Sequence, residues 1–385
     1  MKSNWPLVKL EEVADLTVGF VGTMANHYTS NGVTFLRSTN IDPFNISLDD
    51  IKYISPEFNE KLSKSQLRTG DVVIVRTGKP GACAVIPNIS GTWNCSDLVI
   101  VRPHTEKLDP LFLAAYINLA SGTINNQLVG AVQQHFNVAS AKRLEIPVPS
   151  IDVQRKISSL IGNLNDKISI NNKINDNLQQ QAMALYASMF LDNPALETTA
   201  GTLKDIADIT MGQSPSGSSY NEDGNGEVFY QGRAEFGYRF PTRRLYTTEP
   251  KRMAEAGDVL LSVRAPVGDL NVAYERCCIG RGLGAIHGRN GYQSFVLYTM
   301  FALRPQLDVY NGEGTVFGSI NRNALNDMPI DIPSEDAIAA FEAVVRPMDD
   351  MIRSNYEENC RLQELRDSLL PRLMSGEVDV SDIEI

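Results

Sequence analysis

The side chains of this 385-residue chain that could do chemistry come in two similar sets. Phe35-Leu36-Arg37-Ser38-Thr39-Asn40-Ile41 and Phe229-Tyr230-Gln231-Gly232-Arg233-Ala234-Glu235 each read as an apolar strand opening into polar residues. Arg, Asn and Gln pair bidentately with guanine and adenine edges, so Arg37, Ser38, Thr39, Asn40, Gln231 and Arg233 are candidate DNA contacts. A polar turn without a ligand is the plainer alternative. The second set follows a Gly-Asp strand in each half: Arg76-Thr77-Gly78-Lys79-Pro80-Gly81 and Val263-Arg264-Ala265-Pro266-Val267-Gly268. Glycines let backbone amides approach a phosphate while a cation supplies charge, which points to Arg76, Thr77, Lys79 and Arg264. A hairpin turn with solvated basic residues explains the same string. The densest basic cluster, Arg239-Phe240-Pro241-Thr242-Arg243-Arg244, adds Arg239, Arg243 and Arg244 beside aromatic neighbours able to stack, although a charge run is commonly a wet face.

Catalysis is not supported. A base methyltransferase needs a glycine-rich cofactor loop and an Asn/Asp-Pro-Pro-aromatic loop, and neither occurs. Gly78-Lys79 lacks the upstream glycine of a phosphate-binding loop and runs into Pro80. The acidic-x-Lys pairs of metal nucleases occur as Asp50-Ile51-Lys52 and Glu249-Pro250-Lys251, short strings that chance supplies; no GxSxG elbow is present. Four scattered histidines (His27, His104, His135, His287) and five cysteines without a CxxC pair argue against zinc and for reduced thiols. His135 and His287 read as structural or exposed, and Cys277-Cys278 as buried strand filler.

The elements that must position the binding residues follow from composition and pattern. With 43% hydrophobic and 21% charged residues, the chain has the makeup of two or three ordinary domains. No apolar stretch long enough to cross a bilayer and no signal-peptide core appear, so a cytoplasmic protein without a membrane partner is expected. The net charge of −11 is uneven: residues 334–385 hold 5 basic and 13 acidic side chains, whereas residues 1–150 hold 13 of each. Residues 201–333 carry 13 basic side chains, 11 of them Arg, against 15 acidic ones, which leaves room for a basic face on a near-neutral domain.

The chain nearly repeats itself. Gly130–Ser150 lies over Gly314–Ser334, Gly70-Asp71-Val72 over Gly257-Asp258-Val259, and Leu10–Gly19 over Leu203–Gly212. Each half ends in a heptad seam: Ile161, Leu164, Ile168, Asn171, Asn175 and Leu178 in the first, and Val345, Met348, Ile352, Asn355, Asn359 and Leu362 in the second. Both seams carry two asparagines, which hydrogen-bond when they face each other and fix register. Two helices packed together are expected, rather than separate surface helices, with Pro347 and Pro371 kinking or interrupting the second. Val72–Val75, Leu98–Val101 and Val259–Leu261 read as buried strands.

This pattern resembles the specificity subunits of type I restriction-modification systems. The strings that carry the resemblance are GDVVIVRTGKPGA and GDVLLSVRAPVGD, Cys278–Ile286 (CIGRGLGAI), IPVPSIDVQRKI, and Leu365–Val380 (LRDSLLPRLMSGEVDV). The resemblance implies an α+β fold of two similar mixed α/β target-recognition domains, residues 1–150 and 197–333. They would be separated by two long helices, 151–196 and 334–385 with its tail, packed as an antiparallel coiled coil in a pseudo-twofold duplication. About 36 helical residues make a rod of roughly 54 Å, enough for two heads one DNA turn apart. Arg281, within CIGRGLGAI, joins the candidate DNA contacts. The resemblance also implies a non-catalytic chain that binds double-stranded DNA and docks two methyltransferase subunits, which restriction/translocase subunits join. S-adenosylmethionine, ATP and magnesium would be bound by those partners, leaving no cofactor in this chain. A structural adaptor that reads no DNA is the alternative.

Overall fold

The computed structural model describes residues 5–128, 136–311 and 318–383. Gly130 and Gly314, which open the longest repeated segment, and His135 lie outside them. The chain divides into two compact units, Met1–Asn171 with Glu357–Ile385, and Asn172–Tyr356.

The strands of the two larger sheets of unit 1 are β1 (Ala14–Val18), β2 (Tyr28–Thr29), β3 (Val33–Leu36), β4 (Lys52–Ile54), β5 (Gln66–Leu67), β6 (Val72–Val75), β7 (Cys83–Val85), β8 (Trp93–Cys95) and β9 (Leu98–Pro103). A four-stranded antiparallel sheet runs β7-β6-β9-β1, and a five-stranded mixed sheet runs β2-β4-β3-β8-β5. In the second sheet β3 and β8 are parallel, with Leu36 opposite Cys95. The run Val72-Val73-Ile74-Val75 is buried throughout because both of its faces are covered. Val72 and Ile74 pack with Phe112 and Leu113 of helix α1 (Pro110–Leu128), while Val73 and Val75 pack with Leu36, Leu67 and Cys95 of the five-stranded sheet. Three layers result, helix on sheet on sheet.

Unit 2 follows the same order with other residues. The strands of its two larger sheets are β10 (Ala207–Met211), β11 (Tyr220–Asn221), β12 (Glu227–Tyr230), β13 (Leu245–Thr247), β14 (Met253–Ala254), β15 (Val259–Ser262), β16 (Leu270–Val272), β17 (Cys277–Ile279) and β18 (Leu283–Gly288). The sheets run β16-β15-β18-β10 and β11-β13-β12-β17-β14, again with one parallel pair, β12 and β17. Val259 and Leu261 pack beneath Phe295 and Val296, whose helix the next paragraph delimits, and Leu260 faces Tyr230 and Ile279 of the other sheet.

Long helix α2 (Ile151–Tyr186) enters both cores: Ile157 and Ile161 in unit 1, Ala182 and Tyr186 in unit 2. Helix α3 (Gln293–Ala302) is the unit 2 layer just described, and α4 (Glu335–Ser375) is the second long helix. All twelve seam residues are buried or half-buried. In unit 1 the Asn171 amide donates to Asn359 (2.9 Å) and Glu358 (2.8 Å); in unit 2 the Asn355 amide donates to Asn175 (2.8 Å). The expected interruption of the second helix at Pro347 and Pro371 is corrected: α4 is a single helix through both. Each proline removes one amide donor, and the buried neighbours Val345 and Ile352, or Leu370 and Leu373, hold the helix across the gap.

The helix starts differ between units. Asp109 accepts the amides of Leu111 and Phe112 (3.0 Å each) at the start of α1, and Ser158 of α2 donates to the same carboxylate. At the start of α3, Glu342 of α4 accepts the amides of Ser294 (3.2 Å) and Phe295 (3.0 Å). Either carboxylate satisfies amides that a helix start leaves without internal partners and faces the positive end of the helix dipole. Among the described residues, no helix is long and apolar enough to cross a membrane.

Candidate nucleic-acid interface

Each unit passes from its five-stranded to its four-stranded sheet through a short crossing. In unit 1 the crossing is Ser96-Asp97, between β8 and β9. The Ser96 amide donates to the Leu36 carbonyl (3.0 Å), the Asp97 amide to Phe20 (3.1 Å), and the Gly19 amide to Leu98 (2.8 Å), which ties together the ends of β1, β3 and β9. A Cβ on Gly19 would stand 2.8 Å from the Cys95 sulfur and 3.2 Å from the Asp97 amide nitrogen, so the close approach requires glycine.

The two strand-end loops meet at this crossing. Arg76 Nη1 donates to Asp97 Oδ1 (2.9 Å), Thr77 Oγ1 to Asp97 Oδ2 (2.8 Å), and Ser38 Oγ to the Asp97 carbonyl (3.5 Å). Asp97 holds a left-handed backbone, φ 55°, which Asp and Asn tolerate better than most residues. The other cations are also matched: Arg37 pairs with Asp50 (3.1 Å) and Lys79 with Asp42 (2.8 Å). Lys52 first, then Arg37, holds the Asp50 carboxyl below its ordinary range. Thr39 is exposed.

In unit 2 the crossing is Gly280-Arg281-Gly282. The Gly280 amide donates to Tyr230 (2.8 Å), Gly282 to Gln231 (3.2 Å), Val263 to Gly282 (3.0 Å) and Gly212 to Leu283 (2.9 Å). A Cβ on Gly212 would overlap the Gly280 carbonyl oxygen. Gln231, Arg264 and Arg281 are therefore brought together, all exposed. Arg233 reaches the same region by pairing with Asp269, which also receives Arg304 (2.8 Å). No side-chain partner is found for Arg264 or Arg281 among the described residues; the Arg281 backbone amide donates to Ser214 (3.3 Å).

Residues 2–180 match the family model of the type I restriction modification DNA specificity domain. The chain is similar to the putative type I restriction enzyme MjaX specificity subunit of Methanocaldococcus jannaschii, 25% identical, over 98% of this chain and 94% of that one. Residues 2–180 carry that domain, and the likeness to a specificity subunit extends over nearly the whole chain. A second relative is the type I restriction enzyme HindI specificity subunit of Haemophilus influenzae, 20% identical over 82% of this chain and 88% of its own. The fold is similar to the crystal structure of the type I restriction-modification system S subunit from M. genitalium, with 16% identity, 96% of each chain covered and a TM-score of 0.54.

Two expected contacts turn inward. Asn40 is 1% exposed; its amide donates to the Ser47 and Asp49 carbonyls (3.2 Å each) and its oxygen accepts the Arg37 amide (3.0 Å), so it closes its own turn and presents nothing to a base. Arg239 is 5% exposed and pairs with Asp349 and the Tyr298 hydroxyl (3.2 Å each) at the edge of a cavity of about 350 Å³. Both readings treated polarity as exposure, and folding placed these groups inside with partners. Arg243 and Arg244 remain half-exposed, joined to Glu275 and Glu235, with Arg243 5.6 Å from the Tyr274 ring. Cys277 and Cys278 are buried strand residues, and burial pushes the Cys277 thiol up to about 12. His287 sits 2.6 Å from Asp258. Sequence reasoning missed Asp97, Asp50, Asp42 and Asp269. In the structure Asp97 and Arg281 correspond, each standing two residues after the end of the preceding strand, Cys95 of β8 and Ile279 of β17.

Proposed function

We propose that the chain is the DNA-reading subunit of a type I restriction-modification complex, binding a bipartite double-stranded target with one half-site per unit. The observation that carries this reading is the matched strand order of the two units, each ending in polar loops gathered at the same crossing, in a chain whose residues 2–180 carry this domain. Residues 1–150 and 197–333 act as the target-recognition domains. Residues 151–196 and 334–385 form an antiparallel coiled coil within a pseudo-twofold duplication and dock two methyltransferase subunits, which restriction subunits join. The facing asparagines support that pairing. The chain itself is non-catalytic and works in the cytoplasm; S-adenosylmethionine, ATP and magnesium belong to the partners. The near-neutral units suggest weak DNA binding alone, made tight and salt-sensitive by the partners' basic surface.

Co-expression with the methyltransferase subunit and mapping of methylated adenines tests the reading. Methylation confined to one split motif, lost when either unit is deleted, is the expected result. Co-purification of the partner without any motif favours an adaptor instead. Insertion of one heptad into both long helices should lengthen the spacer and leave the half-sites unchanged; unchanged spacing speaks against the coiled-coil reading.

A further inference from the structure

Resting on that reading, the charge at the two crossings divides the work. In unit 1 every cation of the strand-end loops faces a carboxylate of its own unit: Arg37 with Asp50, Arg76 with Asp97, Lys79 with Asp42. In unit 2 Arg233 and Arg304 share Asp269, but Arg264 and Arg281 stand exposed without a side-chain partner among the described residues. Asp97 is held as a bound oxyanion would be, by a guanidinium on one oxygen and a hydroxyl on the other. Its side chain is 40% exposed, so the contact opens to solvent. A backbone phosphate offers the same oxygens to the same two donors.

We propose that Asp97 is an internal stand-in for a DNA phosphate. Unit 1 takes up DNA by exchanging this carboxylate for a phosphate oxygen, and unit 2 holds the permanent phosphate contacts through Arg264 and Arg281. No net charge is released when a paired arginine changes partner from carboxylate to phosphate and the freed carboxylate takes up a cation. An unpaired arginine, by contrast, displaces a counterion from DNA, and each such contact contributes about 0.9 to the slope of log affinity against log salt.

The test is the affinity of the full chain for duplex DNA, followed by fluorescence anisotropy across a salt series. Asp97→Asn keeps a residue suited to the left-handed backbone and removes the charge. It should tighten binding about eightfold at 0.1 M salt and steepen the slope by about 0.9, the effect of one added phosphate contact. Arg264→Gln and Arg281→Gln should each flatten the slope by about 0.9, whereas Arg76→Gln alone should change it little. Melting curves like the parent's establish that each variant is folded; should Asp97→Asn melt early, the two unit 2 variants against Arg76→Gln still decide. Equal slope losses from Arg76→Gln and Arg264→Gln, or DNA binding indifferent to all four changes, overturn the division while leaving DNA reading intact. Absence of DNA binding at the lowest salt, by the chain alone and in complex with methyltransferase, removes the underlying reading and this inference with it.

Discussion

The two crossings join matching strands, one through two residues and the other through three, with different chemistry. Ser96-Asp97 turns with an aspartate in the left-handed region and draws both loops in through its carboxylate. Gly280-Arg281-Gly282 turns with glycines pressed against the Gln231 backbone and sends its arginine outward. The amide-to-carbonyl bonds that stitch the strand ends recur in both, so the backbone geometry leaves the charge at the crossing free to differ. Heads with one scaffold can therefore present unlike surfaces.

The largest way to sharpen this comparison is at the paired glycines. Gly212→Ala drives a methyl group into the rigid Gly280 carbonyl and should cost about 3 kcal/mol, read as an early melting transition. Gly19→Ala meets the Cys95 sulfur, which can shift, and the Cys95 carbonyl oxygen and Asp97 amide nitrogen at 3.0 and 3.2 Å, which must give slightly, and should cost less, about 2 kcal/mol. Equal losses would mean that the crossings are equally tight and the distinction fails. Next come the seam asparagines. Asn175→Leu leaves the buried Asn355 amide without its acceptor and should cost about 2 kcal/mol, recovered in large part by the double change Asn175→Leu/Asn355→Leu. In unit 1, Glu358 also accepts from Asn171, so Asn359→Leu should cost less, about 1 kcal/mol, in the same melting assay.

The helix starts give the smaller effects. Glu342→Ala removes the acceptor from two amides of α3 and should lower stability by about 1.5 kcal/mol in chemical denaturation. Burial raises the Glu342 carboxyl above its usual range, against the pull of the Phe295 and Ser294 amides. The folded chain thus binds this proton more readily than the unfolded one. The stability it contributes is present below the unfolded value and is lost as pH rises through the folded one, which lies above the usual glutamate range. Glu342→Gln should lack that component when parent and variant are compared across this pH window.

Much of the scaffold was legible because it depends on near neighbours. The β-branched runs at 72–75 and 98–101 are the strands that lie between two cores, and the spacing of three and four residues from Ile161 and Val345 marks the buried side of each long helix. Proline misled at 347 and 371, since an isolated helix breaks there while a packed one is held from both sides. The site was less legible. Its loops were found from residue type, but exposure was assumed for Asn40 and Arg239, and the aspartates were overlooked.

Strands, turns and seam positions follow from the order of residues along the chain, because periodicity, glycine and seam asparagine act through local sterics and repeated spacing. Which charges remain available depends on how the folded chain brings distant residues together. Arg76 finds Asp97 twenty-one residues away, Lys79 finds Asp42 thirty-seven away, and Arg239 finds Asp349 across 110. An ion pair depends on distance in space and on the water removed around it, and neither exists until the sheets have paired.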